Sequence, residues 1–228
     1  MSRSGVPRIT LAPGEIIRHL TGLYGWPVWR PHGDALSELI LTVLSQNTSD
    51  ANSGRAFMRL RSKFPTWEAL IEAPVAEIET AITVGGLARV KAPRIKAILT
   101  EVRKRRGSFD LSFLRQMPLT EAREWLCSLP GVGPKTAACV LMFALGLPAM
   151  PVDTHVHRVA QRLGLLPAGV RAGDAHEILE PLLDPEQVYP LHVLLIRHGR
   201  RLCRARRPLC SQCPLLDGCP YGQTPPSR

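Results

Sequence analysis

Lysine is scarce in this chain: only Lys63, Lys91, Lys96, Lys104 and Lys135 stand beside 24 arginines. Each lysine can therefore be weighed for a role of its own. Arginine suits phosphate, because its planar fork donates two hydrogen bonds at once, although genomic base composition produces the same bias. A long apolar run is also lacking. The longest uncharged stretch, residues 136–152, is broken by Gly146, Pro148 and Pro151 and falls short of the roughly 20 apolar residues of a spanning helix. The opening residues, MSRSGVPRITLAPGE, hold no apolar core of secretory length. No membrane association is expected, and the reading is a cytoplasmic protein. Disulfides are disfavoured there, so the six cysteines need another explanation. No segment sustains period-2 alternation and no internal repeat is evident. The expected fold class is all-α.

What is present points to a polyanion. The net charge is +10 and the pI about 9.9, which favours nucleic acid, with an anionic membrane surface as rival and a merely solvated basic surface as the plain alternative. Asp34 can cap a helix whose Leu36, Leu39, Ile40, Val43 and Leu44 form one apolar stripe. Ala56, Phe57, Leu60 and Phe64 follow at helical spacing. Thr66 can cap a short helix through Ile71, and Pro74 can open another to Ile82. Ile95, Ile98, Leu99 and Val102 mark a longer helix ending in Lys104, Arg105, Arg106 and Gly107, a basic last turn followed by a C′ glycine. Later helices are expected at 120–128, 134–146, 154–164, 174–183 and 187–201.

Cys203, Cys210, Cys213 and Cys219 give the pattern C-x6-C-x2-C-x5-C. Four thiolates this close read as a metal site. Zinc commonly takes two close-spaced pairs, and only one C-x2-C is present, so a [4Fe–4S] cubane reached from separate turns fits better, with zinc remaining open. Arg204, Arg206 and Arg207 lie between the first two cysteines, where a pinned loop would offer fixed guanidinium groups to phosphate. Cys127 and Cys139 read as small core residues.

Residues 129–136 read Leu-Pro-Gly-Val-Gly-Pro-Lys-Thr. Gly131 and Gly133 around Val132 permit a tight hairpin after Leu129, with Pro134 opening the next helix. Its backbone can approach a phosphate closely and hydrogen-bond to it; an ordinary turn between packed helices is the alternative. Lys135 sits in the first helical turn, where the dipole disfavours the ammonium form. A neutral amine there can attack a sugar C1′ and form a Schiff base, and a simple phosphate contact remains the other role. Asp153 stands 18 residues further on, in Val-Asp-Thr-His, as an N-cap whose fixed carboxylate is also preorganised.

LPGVGPKTA, then VDTH, then the four-cysteine pattern resemble the endonuclease III family, the helix–hairpin–helix DNA glycosylases and AP lyases with a [4Fe–4S] cluster. The likeness runs from about Asp34 to Tyr221. It implies two all-α domains with DNA in the cleft between them: a six-helix barrel over 28–147, and a discontinuous cluster domain from 1–27 and 148–228. It further implies a flipped nucleotide, Lys135 as Schiff-base nucleophile and Asp153 as its partner. The partner would be double-stranded DNA with damaged bases or abasic sites, bound by a monomer, at the nucleoid in a bacterium. Excision of oxidised pyrimidines with β-elimination is the leading reading. Mismatch-specific removal of uracil or thymine, a non-catalytic hairpin module and a zinc-ribbon binder are the alternatives. An adenine glycosylase ordinarily lacks the lysine.

Two more segments resemble parts of the family that enter DNA. Leu44-Ser45-Gln46-Asn47-Thr48-Ser49-Asp50 is similar to the loop that fills the vacated base position, with Asn47 where a glutamine is usual and Gln46 one residue earlier. Gly86-Leu87, followed by Lys91, is similar to the segment whose leucine wedges into the opposite strand. His157 also departs from the family pattern, where an apolar or aromatic residue is more familiar, and bears on pocket polarity or lies on the surface.

Overall fold

The computed structural model describes residues 11–223, so the ends of the expected cluster domain, 1–10 and 224–228, lie outside the described residues. Among the described residues every regular element is helical. The chain divides into two compact units, one of Arg30–Leu147 and the other of the residues up to Trp29 with those from Pro148 onward.

Helix α1 (Pro13–Tyr24) belongs to the second of these and was not anticipated. Pro13 opens it, and Glu15 Oε2 turns back to accept from Ala12 N at 2.9 Å. Ile16, Ile17 and Leu20 form its buried face.

The Arg30–Leu147 unit is built around α2 (Ala35–Ser45), capped by Asp34, which accepts from Ser37 N. Leu36, Leu39, Ile40, Val43 and Leu44 are all fully buried, and Glu38 and Thr42 are buried on the remaining face. A helix covered on all sides is a core element, and each Leu or Ile buried here contributes roughly 1.5–3 kcal/mol. Around it run α3 (Asp50–Lys63), capped by Ser49, α4 (Trp67–Glu72), capped by Thr66, and α5 (Val75–Ile82). Then come α6 (Ala88–Arg106), α7 (Leu119–Cys127) and α8 (Pro134–Cys139). Helix α6 begins seven residues before Ile95, the first position its apolar spacing marks, because Lys91 and Ala92 are buried as well. Instead of a continuous helix over 134–146, α8 passes into a π-turn, Val140–Ala144. The carbonyls at its end are taken by Arg115, whose Nε donates to Leu145 O and Nη2 to Ala144 O, and Phe143 O accepts from His32 N.

The other unit packs α1 against α11 (Pro185–Arg201) and α11 against α9 (Thr154–Arg162). Asp153 caps α9, as its sequence position indicates. Helix α10 (Ala175–Leu179) precedes α11, and beyond Arg201 there are only short 3-10 turns and α12 (Pro220–Gln223).

Candidate active site and cluster centre

The hairpin forms as its residues dictate. Gly131 has φ +70°, a left-handed conformation that favours glycine, and a Cβ there would overlap Nε, Cδ and Cζ of Arg94. Leu129 and Val132 bury their side chains in the unit, at 2% and 5% exposure. Of these two expected contacts only the backbone remains for a ligand. Gly133 starts α8 with Pro134 behind it. Lys135 is exposed, and its ammonium has no hydrogen bond or ion pair among the described residues. Among the other lysines of this unit, Lys63 pairs with Glu77 at 3.0 Å and Lys96 donates to Ala73 O.

Lys91 corrects an expectation. Placed with the DNA contacts because it follows Leu87, it is instead 2% exposed, and its Nζ donates to Leu44 O at 2.7 Å and Gly85 O at 2.9 Å. Burial lowers its pKa. It ties the loop after α2 to the loop before α6 from inside the unit. Leu87, beside it, is half exposed with φ 52°.

The structure also separates Gln46 from Asn47. Gln46 is half-buried; its Oε1 accepts from Arg94 Nη1 at 2.9 Å and its Nε2 lies 3.4 Å from Thr136 Oγ1. Asn47 is exposed, with φ 54° at the tip of the turn. Arg94 was missed by the sequence reading, since a single arginine in a basic helix carries no local signal of a contact 48 residues away.

Asp153 Oδ1 accepts from His155 N at 2.8 Å and Val156 N at 2.7 Å. Its second oxygen has no hydrogen bond among the described residues. The carboxylate is thus rigidly held with one oxygen available. His157 takes no part in this: its Nε2 is 2.7 Å from Val170 O.

The four cysteines line one recess with Val159, Leu163, Leu202, Leu209 and Leu216. Arg162 Nη1 donates to Cys203 Sγ at 3.3 Å, and His198 Nε2 is 3.5 Å from Cys213 Sγ. Burial pushes the Cys213 thiol up to about 11 and raises that of Cys219. Burial together disfavours their thiolate forms, and a cationic metal centre bound among them would offset that cost. Among the described residues no three His, Cys, Asp or Glu lie close enough to hold a single metal ion. The donor set, spread around an apolar recess, fits a polynuclear cluster.

Arg158 and Arg162, one turn apart on α9, hold the loop that follows Cys203. Arg158 donates to Gly199 O and Cys203 O, and Arg162 to Arg204 O and Ala205 O. Leu209 N closes the loop on Leu202 O at 3.0 Å. Arg204, Arg206 and Arg207 are left exposed on it. Their i, i+4 spacing was the available sign that Arg158 and Arg162 share a face.

Residues 40–185 match the HhH-GPD superfamily of base excision DNA repair proteins, and residues 203–219, which span the four cysteines, match the iron–sulfur binding domain of endonuclease III. Endonuclease III of Sulfolobus acidocaldarius is 32% identical over 190 residues, covering 82% of each chain. The chain belongs to the endonuclease III family. Its cofactor is accordingly the [4Fe–4S] cluster of that family. A provisionally named DNA glycosylase of Arabidopsis thaliana is 39% identical over 178 residues, and the match spans 58% of that protein's length. Among solved structures, an endonuclease III trapped as a covalent intermediate with DNA superposes with a TM-score of 0.78 at 31% identity, over 93% of this chain and 98% of that one. No helix among the described residues is long and apolar enough to cross a membrane.

Proposed function

We propose that this member of the endonuclease III family is a bifunctional DNA glycosylase and AP lyase that removes oxidised pyrimidines from double-stranded DNA. It acts as a monomer, in the cytoplasm, at the nucleoid if the cell is bacterial. The observation that carries the reading is Lys135: an exposed, unpaired amine in the first turn after the Gly131–Gly133 hairpin. Its Nζ attacks C1′ of the flipped nucleotide, the N-glycosidic bond breaks, and the base leaves with the bonding pair and takes up a proton. Opening of the C1′–O4′ bond gives the Schiff base. Loss of a C2′ proton then expels the 3′ phosphate, and water releases the lysine. Asp153, pinned through Oδ1, turns its second oxygen to stabilising positive charge on the sugar. Asn47 fills the vacated base position and Leu87 wedges into the opposite strand. The hairpin backbone and Arg204, Arg206 and Arg207 hold phosphates.

Cys203, Cys210, Cys213 and Cys219 would hold the cluster through their thiolates, and the iron would supply the common anchor that fixes the arginine loop. The chemistry at the sugar belongs to Lys135 and Asp153.

Borohydride trapping tests the reading on duplexes carrying thymine glycol, uracil or thymine opposite guanine, or an abasic site. Wild-type protein is expected to give an adduct with thymine glycol and with the abasic site, and Lys135→Ala none while still binding DNA. Undiminished trapping by that variant would remove Lys135 from the mechanism. Adducts confined to the mismatches would keep the lysine and move the substrate to mispaired uracil or thymine. Asp153→Asn retains the capping carbonyl and loses the charge, so base excision is expected to fall about a hundredfold or more with the fold intact.

A further inference from the structure

Gln46, in the loop after α2, is half-buried, and two contacts hold its side chain. Arg94 Nη1 donates to its Oε1 at 2.9 Å, and its Nε2 lies 3.4 Å from Thr136 Oγ1. Arg94 can only donate, so it settles which end of the carboxamide is oxygen. The nitrogen end must then face Thr136, the residue after Lys135. Arg94 is itself confined, because its guanidinium and Cδ pack against the α-carbon of Gly131 in the hairpin, where a Cβ would overlap them. Arg94 thus joins the loop and the hairpin to helix α6, and Gln46 carries the link on to the start of α8.

We infer that Arg94 is a positioning residue that locks the Gln46 carboxamide with its N–H groups toward the Lys135 turn, where Gln46 selects a flipped base bearing a carbonyl oxygen. The inference rests on the reading of Lys135 as the nucleophile. An amide fixed in this sense offers hydrogen to its ligand and does not accept it. It therefore favours an oxidised thymine, with carbonyls at both exocyclic positions, over a base presenting an amino group on the same edge. A backbone phosphate oxygen is the other acceptor it could meet, and the test separates the two.

Base excision from a thymine glycol duplex and borohydride trapping at a preformed abasic site are measured in parallel for wild type, Arg94→Met, Gln46→Met, Gln46→Glu and Arg94→Met/Gln46→Met. Misplacement of a reading group costs up to a hundredfold. The ratio of base excision to abasic-site trapping is expected to fall about ten- to a hundredfold in each single variant, and the double variant to be no worse than the weaker single. Gln46→Glu keeps a partner for Arg94 and loses the donors, so it falls with Gln46→Met. Equal losses at the abasic site would assign Gln46 to the phosphate backbone, and additive losses would give Arg94 an independent role; either overturns the inference. The side-chain amide resonances of Gln46, followed in the free protein by 15N NMR, give a readout that needs no turnover. They are expected to collapse toward the values of a free glutamine in Arg94→Met; if they stay where they are, no lock exists, whatever the activity. Absence of any adduct with wild-type protein would instead count against the Lys135 reading.

Discussion

The loops around the hairpin and the segment around the cysteines solve the same problem by opposite means. Both must present exposed groups on irregular backbone. In the Arg30–Leu147 unit the chain does this alone: Lys91 bonds two loop carbonyls from inside, Arg94 braces Gln46, and Arg105 Nη1 fixes Ser128 Oγ at 2.6 Å behind the hairpin. From Cys203 onward the only buried side chains among the described residues are Leu215 and Cys219. So little apolar surface cannot hold a fold of its own. Arg158 and Arg162 bind its backbone from one side, and the rest of the work falls to the cluster. A region can be rigid because of what lies beneath it or because of what it is stapled to.

The largest effect should come from breaking the staple. Cys213→Ser, or iron removal by a chelator, is expected to cost several kcal/mol, because binding at such a site is folding free energy. Limited proteolysis would then cut within residues 202–221 while the Arg30–Leu147 fragment survives. Simultaneous loss of both fragments would dissolve the contrast. On the other side, Lys91→Met leaves two interior carbonyls unpaired and should cost about 2–4 kcal/mol by urea denaturation, with the cluster absorbance near 400 nm unchanged.

A smaller and opposite effect concerns Glu38. Burial raises its pKa from 4.5 to about 7, and Oε2 lies 3.6 Å from His32 Nδ1, too far for a hydrogen bond. A carboxyl raised in the folded state keeps its proton after the unfolded chain has lost it. The unit should therefore lose stability as pH rises from about 4.5 to 7, by at most about 3 kcal/mol. Glu38→Gln is expected to abolish that slope and to be the more stable protein at pH 8. An unchanged slope would mean that another group titrates. Smallest is Arg162→Met, expected to cost about 1–2 kcal/mol in the cluster-loaded protein and almost nothing once the cluster is gone. Equal costs in both states would show that Arg162 holds the loop without help.

Much of this was legible in the residues. Asp34, Thr66 and Asp153 are side-chain caps that announce their helices, and each accepts from the backbone as expected. Gly131, Gly133 and Pro134 encode the hairpin locally, and four cysteines at short spacing encode a metal centre. What escaped reading depends on partners far along the chain. Lys91 reads as a DNA contact because it follows Leu87 in a segment similar to one that enters DNA in the family, and nothing local signals that its amine turns inward to Leu44 and Gly85. Arg94 and Gln46 are 48 residues apart. The π-turn at Val140–Ala144 has no local mark in its apolar run, and the carbonyls at its end are taken by Arg115 and His32, neither of them local. The start of α1 was passed over because its apolar face is only Ile16, Ile17 and Leu20.

Leu87 sits in a left-handed conformation at the head of α6, where any residue but glycine pays about 1–2 kcal/mol. A laboratory that evolved this protein for heat resistance alone would therefore be rewarded for writing glycine at position 87. The survivors of such a screen would be sturdier, would keep their colour, and would have traded away the apolar side chain proposed above to wedge into the opposite strand. On the role proposed for Leu87, thermal hardiness and usefulness conflict at this codon, and only a screen that asks for repair keeps the leucine.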